Sequence, residues 1–526
     1  MPRLPLGPLS STARRDESFQ RRVRAASKYL TVSIPENRNN GDEELYSNKI
    51  GNFTKGLHHN NVGEVDINDY QRLLDALQSG SPTAFENLPL GCGTGSRKFV
   101  NPQAGLAFDT EGFDSQLLEI GPAPAFASDE EGAEIVENYW MALLRDVPFE
   151  DYAGNAMAAN AASELNSLSQ FTGPHDPTTQ MVEPKTLFRG LTPGDLIGPY
   201  LSQFLIKPVP FGTQGWEQTM TTVQAKCDFV TDPSTFISIQ NGCQPSESLT
   251  YVPTPVHIRN GRDLSQWVHI DVLFQAYFNA CLILLNNDIN NNPVNGGIGG
   301  KLDPSNPYLL SQTQQGFATF GPPGIITMLC EVATRALKAV WFQKWFVHRR
   351  LRPEAYAGYL HFTKTGAASF PVNAQALNSQ AAAEVNTKYG SYLLPLVFPE
   401  GSPIHPAYGA GHATVAGACV TMLKALFDEE QVISNPEFVG RSGNRQPWVG
   451  PGLKVGDELN KLASNVAMGR NLAGVHWRTD ATASLRLGEQ IAIGVLRDHK
   501  LMYNETFGGY QLTTFGGTKM TILAGH

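Results

Sequence analysis

Cysteine is scarce in this sequence: there are six in 526 residues, none in a C-x-x-C pair and none at zinc-ligand spacing. That excludes a thiolate metal centre. Basic runs are missing outside the N-terminal tail and the net charge is −9, so nucleic acid is excluded as a partner. No apolar stretch approaches the length of a bilayer span, which excludes a membrane helix. The opening residues also lack the apolar core of a signal peptide, so a soluble chain without a leader is expected, with no compartment assigned. Carboxylates are few in the Asn/Gly-rich tract Asn286–Gly300. A solvent loop is expected there, and a structural calcium site is not supported.

What is present reads as a helical protein large enough for one big domain or two fused bundles. Residues 1–50 are polar and without a sustained period, an arm that wanders or wraps a neighbouring subunit. Helices are expected at 66–79, 129–145, 154–170, 194–206 and 265–286, and small hairpins within 207–262. In the C-terminal half, a long helix over 325–351 should stop near Pro353, where a backbone donor is lost. Further helices are expected at 373–388, 411–428, 457–473 and 480–498. With no strand–helix alternation, the fold class is mainly α: two packed helical bundles with a few short β-hairpins. The division is an arm (1–50), an N-terminal helical region (51–300) and a C-terminal bundle carrying the site (301–526). Cys281, Cys330 and Cys419 lie in apolar helical runs and read as free buried thiols. Cys227 and Cys243 share a loop-rich stretch and are candidates to pair.

Three segments carry chemistry. Lys344 and Arg352-Pro353 stand at the end of the long helix; His405-Pro-Ala-Tyr-Gly-Ala410-Gly411-His412 opens a helix; Arg470 precedes His476-Trp-Arg-Thr-Asp480 where one helix hands over to the next. Arg offers a planar fork and Lys a point charge, both suited to an oxyanion. Gly411 at a helix N-terminus offers free N–H groups and close approach. If the segments converge, they make an oxyanion pocket for phosphate, sulfate or vanadate. His476 has Asp480 four residues on, the spacing at which a carboxylate fixes the imidazole tautomer. Such a histidine is a metal ligand or a nucleophile, and His412 is placed for general acid–base work. Taken singly, each of these residues is more often structural; their joint occurrence in order is what counts. Arg349 and Arg350 read as surface charges, and His348 has no assigned role.

These segments resemble the signature of the vanadium haloperoxidase and type-2 phosphatidic-acid phosphatase superfamily: Lys…Arg-Pro, then Ser-Gly-His, then Arg-x5-His-x3-Asp. The Lys344–Arg352 interval is one residue longer than in the phosphatases and is similar to that of the algal bromoperoxidases, as are the tracts around His405–His412 and His476–Asp480. The motif-level resemblance covers roughly residues 320–500. It implies a vanadate cofactor bound through His476, with Lys344, Arg352, Arg470 and the Gly411 amide neutralising its oxygens. It implies too that His412 helps deprotonate hydrogen peroxide, and that bromide or iodide is oxidised to a species that halogenates an organic acceptor. His405, where the fungal chloroperoxidases carry an aromatic residue, tilts the preference to bromide. Trp341 is expected to line the halide side, and Asp271 is a candidate to orient His405. By the same resemblance the chain is a homo-oligomer.

One departure stands out. Ala410 occupies the serine position of Ser-Gly-His and removes a hydroxyl contact worth about 1 kcal/mol. Two other readings compete. An acid phosphatase would use His476 as the phosphoryl-accepting nucleophile and His412 as leaving-group acid. A non-catalytic shell protein would keep the pocket as a vestige. The Lys–Arg interval and His405 weigh against the first, and the otherwise intact cage against the second.

Overall fold

Where the sequence sustains an apolar period and supplies a cap, it folds as a helix. The computed structural model describes residues 10–286 and 297–523. The first half holds α1 (Ser11–Ser27), α2 (Ile67–Ser79), α3 (Asp129–Leu144), α4 (Ala156–Ser167), α5 (Gly261–Trp267) and α6 (Gln275–Leu285). The second holds α7 (Pro322–Phe342), α8 (Pro353–Thr365), α9 (Gln380–Tyr389), α10 (Gly411–Lys424), α11 (Val455–Leu472) and α12 (Arg478–Met502). Asp66, Ser128 and Asn155 each accept backbone N–H groups at the starts of α2, α3 and α4, as N-cap side chains do. Three two-stranded antiparallel hairpins complete the fold: β1 (Val209–Phe211) with β2 (Gln214–Trp216), β3 (Glu437–Val439) with β4 (Arg445–Pro447), and β5 (Tyr510–Thr513) with β6 (Lys519–Ile522). The expected mainly α architecture with a few short hairpins is therefore what is found.

Helix α10 is the hub that positions the site. It packs against α7, α11 and α12, and nearly all its residues are buried. Its contact with α12 is close because two positions lack a Cβ. A Cβ at Gly417 would lie 2.1 Å from the Leu485 carbonyl oxygen, and one at Gly488 would lie 2.0 Å from that of Thr414. Glycine is tolerated inside these helices because it lets two backbones approach. Helices α8 and α9 pack on α3, and α11 packs on α5.

Several expectations are corrected. The N-terminal arm contains a helix, α1, tied to α12 by Lys28 and Tyr29, both bonded to Asp498. Residues 194–206 hold only a short 3-10 turn, Gln203–Leu205, because Pro193, Gly194, Gly198 and Pro199 punctuate the stretch before it. The expected helix 265–286 is broken: α5 ends at Trp267 and α6 starts at Gln275. The long helix ends at Phe342 and passes into a π-helical turn, Gln343–His348, closed by Arg349 at φ 41°. Pro353, expected as a stop, also starts α8, a position where proline's fixed φ suits a helix. Residues 287–296 of the Asn/Gly-rich tract lie outside the described residues.

The cysteine pairing also differs. Cys243 bonds Cys92 across a sequence separation of 151, and Cys227 is free. Cys281 and Cys419 are free and buried as expected, while Cys330 is free but only partly buried. Because the link closes a long loop, Cys243→Ser is expected to lower stability by about 5 kcal/mol, read as a fall in Tm. Cys227→Ser should leave Tm unchanged; an equal fall in both variants would contradict this pairing.

Candidate active site

The π-helical turn after α7 carries Lys344 inward, and the entry to α8 does the same for Arg352; both are fully buried. Widened turns of this kind recur at functional sites. Lys344 Nζ donates to His405 Nδ1 at 2.9 Å and to the Pro406 carbonyl at 3.1 Å. Arg352 reaches His405 Nδ1 at 2.9 Å, the Val475 carbonyl at 2.6 Å and His476 Nε2 at 3.0 Å. Two cations share one nitrogen of His405, so Nδ1 must be the acceptor and the ring neutral.

Arg470, on the last turn of α11, donates to the Val268 carbonyl at 2.8 Å and leaves its Nε buried with no partner. Trp341 lies across the cluster. Its ring is 5.0 Å from that of His405 and 4.8 Å from Lys344 Nζ. A Cβ at Gly411 would come 3.1 Å from the Trp341 ring, so glycine leaves the start of α10 open beneath it.

Among the described residues, Lys344, Arg352 and Arg470 form no ion pair with a carboxylate; the partners named above are carbonyl oxygens and imidazole nitrogens. Burial, and after it the neighbouring Arg352, pushes Lys344 well below its ordinary pKa. Burial is also the first cause that brings Arg352 down to about 9, opposed by Asp480 and Glu354 and reinforced by Arg470, and Arg470 down to about 10, opposed by Asp271 and Glu400. His405 and His476 are held well below the usual histidine range by burial, and next by Lys344 and Arg352. Three buried cations, two of them depressed further by a neighbouring cation, are in an environment that an anion relieves.

His476 Nδ1 bonds Asp480 Oδ2 at 2.7 Å, which leaves Nε2 as the lone-pair nitrogen facing the cluster. Asp480 also takes the Trp477 amide at 3.1 Å and Arg350 at 2.9 Å. Arg350, expected at the surface, is 2% exposed and spans Asp480, Glu131 and Glu134, the last at 2.7 Å. Arg349 is corrected likewise: it is largely buried and pairs with Glu43 through Nε at 3.0 Å. His348 packs edge-on against Tyr408.

His412 sits one residue into α10, and its Nε2 meets Asp271 Oδ1 at 3.0 Å. Asp271 therefore partners His412, not His405. It gets there because the chain leaves the helix after Trp267, which frees residues 268–274 to turn toward the site. Ala410, the N-cap residue, supplies no side-chain cap, and its N–H donates to Ser484 Oγ on α12 at 2.8 Å. The structure thus brings Lys344, Arg352, His405, Gly411, Arg470, His476, Trp341 and Asp480 into one neighbourhood, with His412 close enough to act electrostatically on His476.

Sequence reasoning missed Ser484, Arg350 and the pair Glu131 and Glu134. The last two offered a signal: with Glu137 they recur every three residues along α3 beside the apolar Ala133, Ile135, Val136 and Tyr139, and carboxylates buried there require cations.

A helical scaffold that gathers three buried cations, unpaired with carboxylates among the described residues, around an oriented imidazole defines a class of oxyanion-binding enzymes. Comparison with known proteins narrows the class. A family model described as the VCPO second helical-bundle domain matches residues 326–505. The vanadium-dependent bromoperoxidase of Corallina pilulifera is 36% identical over 611 aligned positions, covering 99% of this chain and 100% of the relative. That of Ascophyllum nodosum is 33% identical over 525, covering 95% and 90%. The solved second vanadate-dependent bromoperoxidase of Ascophyllum nodosum, a homohexamer, superposes with a TM-score of 0.91 at 31% identity, over 99% of this chain and 92% of that one. The chain belongs to the vanadium-dependent bromoperoxidase family.

Proposed function

We propose that this chain is a vanadate-dependent haloperoxidase that oxidises bromide, and iodide, with hydrogen peroxide and so halogenates an organic acceptor. The observation that carries the reading is a group of three buried cations around His476, unpaired with any carboxylate among the described residues: Arg352 reaches its Nε2 at 3.0 Å, and Lys344 and Arg470 are close enough to act on the ring electrostatically. The donor set fits vanadate. Lys344, Arg352 and Arg470 supply positive charge, Gly411 supplies a helix N-terminus left open for want of a Cβ, and the Arg470 Nε has an unused donor.

In this reading His476 Nε2 is the vanadium ligand and Asp480 fixes its tautomer. Bound vanadate supplies Lewis-acid activation of hydrogen peroxide without a change in its oxidation state. His412, oriented by Asp271, takes the proton of the incoming peroxide. His405 holds its neutral form against Lys344 and Arg352, which leaves Nε2 as the N–H that a halide would accept from, on a ring 5.0 Å from that of Trp341. A homo-oligomer is proposed too. It is supported by the homohexameric relative and by exposed Phe19, Leu30 and Ile34 along the N-terminal arm.

Bromination of phenol red after loading with orthovanadate tests this function, with hydrolysis of para-nitrophenyl phosphate as the opposing outcome. Turnover of the phosphate ester without bromination would favour the phosphatase that the same cage could serve. Ala410 bears on affinity. Ala410→Ser restores a hydroxyl beside the start of α10, and vanadate should bind roughly fivefold tighter, as about 1 kcal/mol implies. Unchanged or weaker binding in an equilibrium titration would place that residue outside the anion's reach.

A further inference from the structure

The break after α5 does more than bring Asp271 to His412. Residues 266–271 run from the cationic cluster, where the Val268 carbonyl accepts from Arg470, to a separate cleft of about 290 Å³. Trp216, Met220, Trp267 and Ile270 give this cleft its apolar walls, and Asp271 lines it too. One side chain therefore touches both spaces: Asp271 lines the cleft and holds His412 at 3.0 Å.

Two features indicate what the cleft takes. Gln266 lines it and is fully buried, yet neither its amide nitrogen nor its amide oxygen has a hydrogen-bond partner. A buried amide left unmatched is costly, and such groups are normally satisfied by a ligand, by water or by protein. It offers one donor and one acceptor side by side, which a phenolic hydroxyl can meet because it both accepts and donates. The charged side chains lining the cleft, Glu217 and Asp271, are both carboxylates, and no Lys or Arg lines it. Glu217 pairs with Arg445 and His257, and Asp271 with His412, none of which lines the cleft. Two indoles beside carboxylates receive a neutral or cationic ring and give no counter-ion to an anionic one.

We infer that this cleft is the acceptor subsite, and that it takes small phenols that are neutral or positively charged in preference to anionic ones. The inference rests on the haloperoxidase reading and deepens it. In the reaction a ring carbon of the phenol takes bromine from hypobromous acid. The C–Br bond forms as the O–Br bond breaks, and the ring proton leaves with the hydroxide as water. A subsite next to His412 lets this happen before the oxidised halogen escapes to solvent.

The test compares tyramine with para-hydroxyphenylacetate, which share a ring and differ in charge. Binding of each to the protein is measured by calorimetry, and their bromination is measured in competition. Formation of tribromide from bromide and hydrogen peroxide, without acceptor, reports halide oxidation alone. Tyramine should bind saturably and be brominated in excess over the ratio given by free hypobromous acid. Trp216→Ala lies on an exposed hairpin; it should weaken tyramine binding about tenfold and return the ratio to the free value, with tribromide formation unchanged. Trp216→Phe should retain most of the preference. No saturable binding, or a ratio equal to that of free hypobromous acid while tribromide forms, overturns the subsite. Absence of tribromide overturns the peroxidase reading on which the subsite rests, and the binding data report the cleft separately.

Discussion

His476→Ala is expected to abolish vanadate-dependent bromination while leaving the helical content intact. The ring is buried, bonded through Nδ1 to Asp480, and presents Nε2 to Arg352 at 3.0 Å. Its lone-pair Nε2 is held in a fixed tautomer by Asp480 and faces Arg352, so its removal deletes the ligand itself. Removing the orienting partner instead should be milder. Asp480→Asn keeps the size but loses the charge, and vanadate affinity should fall about 10–100-fold, the usual effect of losing such a partner. The pair is read by vanadate titration with circular dichroism as the folding control. Residual saturable activity in His476→Ala would place the ligand elsewhere.

The second large effect is expected at a residue that never touches the anion. Arg350 is enclosed by Glu131, Glu134 and Asp480. Burial drives Glu131 well above the ordinary carboxylate range and lifts Glu134 to about 7, even with this guanidinium opposing it. Arg350→Leu leaves three buried carboxyls without a cation. Breaking such a cluster should cost about 4 kcal/mol of stability. Arg350→Lys should recover only part of it, because an ammonium cannot span partners that a planar fork reaches together. Chemical denaturation of the three proteins measures this. The loss should grow as pH rises through about 7, where Glu134 ionises. Folded-state carboxyl pKa values raised by burial make folding less favourable as pH climbs from the unfolded value through the folded one. A Leu variant as stable as the parent would mean that the three carboxyls are not held by this residue.

The legible parts of the fold were those with local causes. Helices α2 and α3 follow their apolar period and N-caps, α10, α11 and α12 follow their apolar period, and the motif residues converge as their order implied. What stayed hidden depends on partners distant in sequence. Trp267, Val268, Val272 and Leu273 keep a helical spacing, yet the chain leaves the helix there. The Val268 carbonyl is taken by Arg470, and Asp271 by His412. Arg350 looks like one more basic residue at a helix end, and only the placement of α3 and Asp480 makes it a buried clamp. Cys92 pairs with Cys243 over a span that no spacing rule connects. Local periodicity thus gives elements, while the polar groups that interrupt them are decided by tertiary contacts.

The central claim is that one buried cationic cage, closed by His476, holds a single vanadate. Calorimetric titration of the vanadate-free protein with orthovanadate, repeated in the presence of phosphate, tests it most directly. Saturation near one vanadate per chain, with phosphate competing for the same site and Arg470→Ala weakening both anions, is the expected result. Binding that fails to saturate, or vanadate binding that phosphate and Arg470→Ala leave untouched, would contradict it.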